Sequence, residues 1–98
     1  MEINAASLAR VELEPATLLL VRIAALAAVD APPASYLLHV GPAVESGVRL
    51  TDVQDVLVAV APIVGAPRVL RAAGAITEAL GFAIAITDAA LAGDGDEA

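Results

Sequence analysis

The chain has 98 residues, the size of one domain, and carries twelve acidic residues against five arginines, a formal net charge of −7. Apolar residues make up 59% and charged residues 17%, where a soluble domain usually carries about 25% charged. This excludes intrinsic disorder, and the absence of cysteine excludes disulfide frameworks, thiolate nucleophiles and Cys-ligated metals; net negative charge without a basic cluster argues against nucleic acid as a partner.

Asn4 to Arg10 reads as a short leading helix capped by Asn4. Pro15 fits the first turn of the next helix, where its missing N–H costs nothing. That helix runs to about Val29 and is apolar all round except for Thr17 and Arg22. A helix of this kind is buried on every side, within the domain or between subunits. Asp30-Ala31-Pro32-Pro33 breaks it, and a second helix runs from Pro33 to about Ser46, with Tyr36, Leu37, Val40 and Val44 on one face. Gly41 and Pro42 predict a kink in its middle, and Gly47 a terminator.

Thr51-Asp52-Val53-Gln54 matches a capping box, in which the Thr51 hydroxyl and the Gln54 side chain each take a free backbone N–H. The helix that follows places Val53, Val56, Leu57, Val60 and Val64 at core spacing, and Pro62 is expected to kink or end it. Asp52 and Asp55 suit the positive end of its dipole. Gly65-Ala66-Pro67 makes the next turn. A fourth helix from Pro67 carries Val69, Leu70, Ala73, Ile76 and Leu80 on one face. Gly81 is expected to end it, with Phe82 to Leu91 as a short further helix or an extended end. Residues 94–98 read as an acidic, disordered tail after a single domain over residues 1–93. Asp94, Asp96 and Glu97 have no metal-site geometry, so no metal is expected.

A membrane-crossing helix needs about 20 consecutive apolar residues, and no uninterrupted run reaches that length. The acidic N-terminus lacks the pattern of a secretory signal, so no membrane partner and a cytoplasmic location are expected. So small a chain leaves much apolar surface wet as a monomer. Large apolar patches mark interaction surfaces, so a homo-oligomer is expected.

A family resemblance follows from the order of these features. A long apolar helix contains Leu20-Val21-Arg22, His39 stands in the second helix, Gly47-Val48 precedes a helix beginning at Thr51, and Gly65-Ala66-Pro67 follows Ala61-Pro62. Between about Leu13 and Leu80 the chain resembles the carboxymuconolactone decarboxylase family, which shares its fold with alkylhydroperoxidase D. The resemblance implies an all-α, single-domain alkylhydroperoxidase D-like bundle assembled as a trimer or hexamer. The peroxidase branch uses Cys-x-x-Cys-x-x-x-His. With His39 as the motif's histidine, the cysteine positions hold Pro32 and Ser35, so thiol peroxidase chemistry is excluded.

The decarboxylase branch needs no cofactor. It resembles loss of CO2 from a small carboxylated lactone, with electrons moving toward the lactone carbonyl and a general acid protonating carbon. By this analogy His39 is the acid/base, Ser35 its orienter one turn earlier, and Arg22 and Tyr36 bind the small acidic substrate. Each has a structural alternative. His39 between Leu38 and Val40 also fits a hydrogen-bonded core residue. Arg22 also fits a pair with Asp52, Asp55 or Glu78, Ser35 a helix-start residue, and Tyr36 a packing residue. A catalytically inactive relative serving as an assembly or ligand-binding module therefore stands beside the enzyme.

Overall fold

Four helices account for the chain from residue 15 to residue 97, and each boundary has a local cause. The structure, a computed structural model, describes residues 11–97, with side chains for residues 11–86, 88 and 89. The leading helix expected over Asn4 to Arg10 lies outside the described residues, as does residue 98.

Helix α1 spans Pro15–Ala28, with Pro15 in its first turn as expected. It ends in a Schellman motif. The Ala31 N–H donates to the Leu26 carbonyl at 3.0 Å and the Asp30 N–H to the Ala27 carbonyl at 3.2 Å. The motif needs a left-handed residue, and Asp30 supplies it with φ of 57°. Glycine usually fills such a position; aspartate tolerates it. The Asp30 carboxylate is held from a distance in sequence: Arg71 Nε donates to its two oxygens at 2.9 and 3.1 Å. Arg68 donates to the Ala28 carbonyl, one of those a helix end leaves unpaired.

Helix α2 spans Pro33–Glu45 and runs on through Gly41 and Pro42. Its end repeats the Schellman motif with glycine in the special place. Gly47 has φ of 78°, its N–H donates to Val44, and the Val48 N–H donates to Ala43 at 2.9 Å.

Helix α3 spans Leu50–Val64. It starts one residue before the expected Thr51 cap, so Thr51 lies within the first turn and the Thr51–Gln54 box does not form. Arg49 stands at the cap position, but a guanidinium has donors only. Asp52 closes the end instead, its carboxylate accepting the Arg49 N–H at 2.9 Å. A carboxylate at the third helical position also matches the dipole. Pro62 ends the helix within two residues, and Gly65 turns the chain with φ of 97°.

Helix α4 spans Ala66–Glu97 without interruption. The expected stop at Gly81, with a separate element after it, is not there. A helical glycine costs only about 1 kcal/mol against alanine, and alanine-rich neighbours on both sides absorb it. The helical backbone extends into the acidic segment expected as a disordered tail. Continuity through Gly81 also corrects the reading of apolar runs. Ala66–Ile86 is a 21-residue helical stretch of mean hydropathy 1.6, long and apolar enough to cross a membrane by length and composition, with 11% of its most apolar part buried. The same helix packs on the other three.

The helices α1 and α4 form the centre, and α2 and α3 each pack on both. Leu19, Ile23, Ala27, Tyr36, Val53, Leu57, Ala72 and Ala79 are buried. The predicted positions Val53 and Leu57 belong to this core, whereas Leu70 and Val44 are mostly exposed. On α4 the core face runs through Ala72 and Ala79, with Val69 and Ile76 packed beside it. Helix α1 is not buried all round in one chain, since Val21 is half-exposed.

The two candidate caps of α3 separate by mutation. Thr51→Ala is expected to leave the melting temperature unchanged. Asp52→Ala lowers it, because an orphan N–H returns and the helix dipole loses its partner. Thermal melts followed by circular dichroism check both.

Candidate functional site

Helices α2 and α3 share contacts with α1 and α4 but not with each other. The space between them is a cavity of about 210 Å³, bounded by α1 at Ile23, by both flanking helices and by α4 at Ile76 and Leu80. A cavity of about 150 Å³ already holds benzene, so a ring of five or six atoms with a substituent fits here. Val40, Val44 and Val53 add apolar wall. Three lining residues carry a polar atom: Tyr36, His39 and Arg49.

His39 is half-buried on α2. Its Nδ1 lies 2.8 Å from the main-chain carbonyl of Ser35, one turn back. A carbonyl only accepts, so this partner assigns a proton to Nδ1 and leaves Nε2 as the ring nitrogen that exchanges one. Ser35 thus orients the imidazole through its carbonyl and not through its hydroxyl. The ring is fixed by the helix itself and keeps one edge for proton transfer.

Tyr36 forms a buried wall of the cavity, 4% exposed. Its hydroxyl is buried with no hydrogen-bond partner among the described residues. Burial, and then the negative charge of Asp30, push its pKa up, so the hydroxyl stays protonated. Arg22 sits half-buried on α1. It does not line the cavity and already makes an interaction within the protein. The cavity therefore unites His39 with Tyr36 and leaves Arg22 and the Ser35 hydroxyl outside.

Sequence reasoning missed Arg49. It sits on the loop between α2 and α3, where it lines the cavity. Asp52 holds its guanidinium from one side, with Nη2 to Oδ1 at 2.9 Å and Nε to Oδ2 at 3.3 Å. The side-chain hydrogen bond, then the backbone one, hold the Asp52 carboxyl below its ordinary 3.8, and the same pair raises the arginine. The lowered carboxyl means that the pair's stabilisation is present above that ordinary value and is lost as pH falls through the depressed one. The signal was available: an arginine directly before a helix start, three residues from an aspartate, can reach that carboxylate with both its N–H and its fork.

This arrangement meets the sequence at the family level. The family model described as carboxymuconolactone decarboxylase matches residues 1–78. The chain belongs to the carboxymuconolactone decarboxylase family. No curated protein matches it, and no solved structure does. As a member of the family it has no cysteine, so the thiol pair of the peroxidase branch is excluded by residue type. Pro32 directly precedes α2 and Ser35 lies in its first turn, the places where the resemblance puts those thiols. The family's all-helical architecture agrees with the four helices seen, and no strand occurs among the described residues.

The buried Tyr36 hydroxyl gives a direct test of the wall. An unpaired hydroxyl forfeits its water without gaining a partner. Tyr36→Phe is expected to raise stability by about 1 kcal/mol, measured by urea unfolding. A loss of stability of that size would mean that the hydroxyl has a partner.

Proposed function

We propose that this family member binds a small carboxylated lactone in the cavity between α2 and α3 and releases CO2 from it without a cofactor. The observation that carries this reading is the free Nε2 edge of His39 in an otherwise apolar cavity. The lactone ring packs against Val40, Val53 and Ile76. Apolar surroundings destabilise a carboxylate relative to neutral CO2. In an unsaturated lactone acid, the bond between the ring carbon and the carboxylate breaks, and its electron pair passes through the conjugated double bond to the lactone carbonyl as a dienolate. The imidazolium of His39 then gives its Nε2 proton to carbon, and solvent restores that proton. The net change is one proton taken up and one CO2 released. The Ser35 carbonyl steadies the imidazolium through Nδ1–H throughout.

A second reading has an observation of its own. Of the three polar lining groups, the Tyr36 hydroxyl is buried and one edge of the Arg49 guanidinium is taken by Asp52. So few working groups also suit a module that binds a small ligand and does not turn it over.

Self-association belongs to the same proposal. Leu38 is 77% exposed, Val58 73% and Ile63 88% in the single chain. Burying such side chains is worth about 1.5–3 kcal/mol each, and second copies of the chain in a trimer or hexamer supply the cover. Light scattering at micromolar concentration is expected to give a multiple of 9.8 kDa. A stable species of monomer mass would overturn it.

His39→Gln separates chemistry from architecture. Glutamine keeps a donor for the Ser35 carbonyl but carries no transferable proton near neutrality. Turnover of a carboxylated lactone is expected to fall about 10²- to 10⁴-fold, with the melting temperature nearly unchanged. A lower melting temperature with unchanged activity per folded chain would make His39 a structural residue. Binding with no turnover in either protein would establish the module.

A further inference from the structure

Arg49 is the arginine lining the cavity, and one edge of its exposed guanidinium is already taken. Asp52 takes its Nε and one Nη2 N–H, and the same carboxylate also closes the start of α3 by accepting the Arg49 N–H. Two anchors fix Asp52 where it is: the first turn of a 15-residue helix and the guanidinium. Asp55, further along α3, adds a second negative charge acting on Arg49. The neighbourhood of the guanidinium therefore sums to no net positive charge.

A carboxylate that is to leave as CO2 gains nothing from a guanidinium clamp. The clamp stabilises the charged ground state, and that stabilisation disappears as the charge moves into the ring. A guanidinium opposite a carboxylate also binds bidentately and fixes it in plane.

We propose that Asp52 is a specificity-determining and positioning residue of this cavity: an internal carboxylate that takes the Nε/Nη2 edge of Arg49 and offsets its charge, so that the guanidinium pairs only weakly with the carboxylate of the ligand. This rests on the reading of the cavity as a site for small carboxylated lactones and adds what sets its selectivity. The reacting carboxylate is left to the apolar walls. A neutral lactone of the same shape binds about as well as the acid. Asp52 acts through Arg49 and touches no reacting atom.

The test uses two probes, γ-butyrolactone-γ-carboxylate and its methyl ester, titrated calorimetrically into the full chain. The wild-type protein is expected to bind both within about two-fold of each other. Asp52→Asn keeps an oxygen for the Arg49 N–H and so preserves the helix cap, but it releases the guanidinium. It is expected to tighten the acid about 2- to 5-fold, the worth of an exposed ion pair, and to leave the ester unchanged. In an Arg49→Gln background the same substitution has no effect on either probe, because the coupling needs both residues. A merely structural Asp52 would weaken acid and ester together. That result, or an acid affinity unmoved by Asp52→Asn while both probes bind, overturns the proposal and leaves the cavity assignment standing. Failure of both probes to bind any of these proteins overturns the cavity assignment, and the proposal with it.

Discussion

The fold depends on how closely α4 can approach its neighbours. Ala72 and Ala79, two turns apart on α4, are each 3% exposed, and Ala27 of α1 is fully buried. Methyl side chains at these crossings let the helix backbones come close, and no large residue fits between them without pushing them apart. The described core is correspondingly small and contains no buried charge. Helices α2 and α3 each pack on both α1 and α4 without touching each other. The cavity is the space they leave. The site is therefore a by-product of alanine packing as much as of its own lining.

Arginine does the long-range fastening. Arg68 and Arg71 reach from the first turns of α4 to the end of α1, one to a main-chain carbonyl and one to the carboxylate of Asp30. Asp30 in turn sits in a conformation that glycine would accept more easily. Arg71 also lowers the Asp30 pKa through its hydrogen bond. An ion pair of this exposure contributes little in water on its own. Its position matters more, because it closes the end of α1, where Asp30 stands in the place a glycine usually takes, and ties it to the start of α4. Arg49 and Asp52 repeat the device locally, so these two arginine–aspartate pairs both stand at a helix terminus.

The all-helical class, the family, the order of the elements and the terminator role of Gly47 were legible in the sequence, because periodicity and turn residues are local signals. The cap of α3 lies at Arg49, two residues before the expected Thr51, a difference that arises because Thr51 and Asp52 both suit a helix start. Only the geometry shows which reaches the free N–H. Gly81 misled because a glycine inside an alanine-rich helix and a glycine after it look alike in one dimension. Of the site, His39 and Tyr36 were found from residue type. Arg22 drew attention as the charge on an apolar helix, yet a position on α1 does not fix which side of the bundle it serves. Arg49 was missed because its role comes from the loop that carries it to the cavity.

The match to the family ends at residue 78, yet the structure does not divide there. Ala79 is among the most deeply buried residues, and Ala79 and Leu80 close one wall of the cavity. A cut at the family boundary would fall inside a continuous helix and remove Ala79 and Leu80 from the wall of the cavity. The part shared with relatives thus supplies the imidazole and the guanidinium, and the following turn of α4 supplies the floor beneath them. Residues 79 and 80 thus help to set the size of the space while carrying neither of its ionisable nitrogen groups.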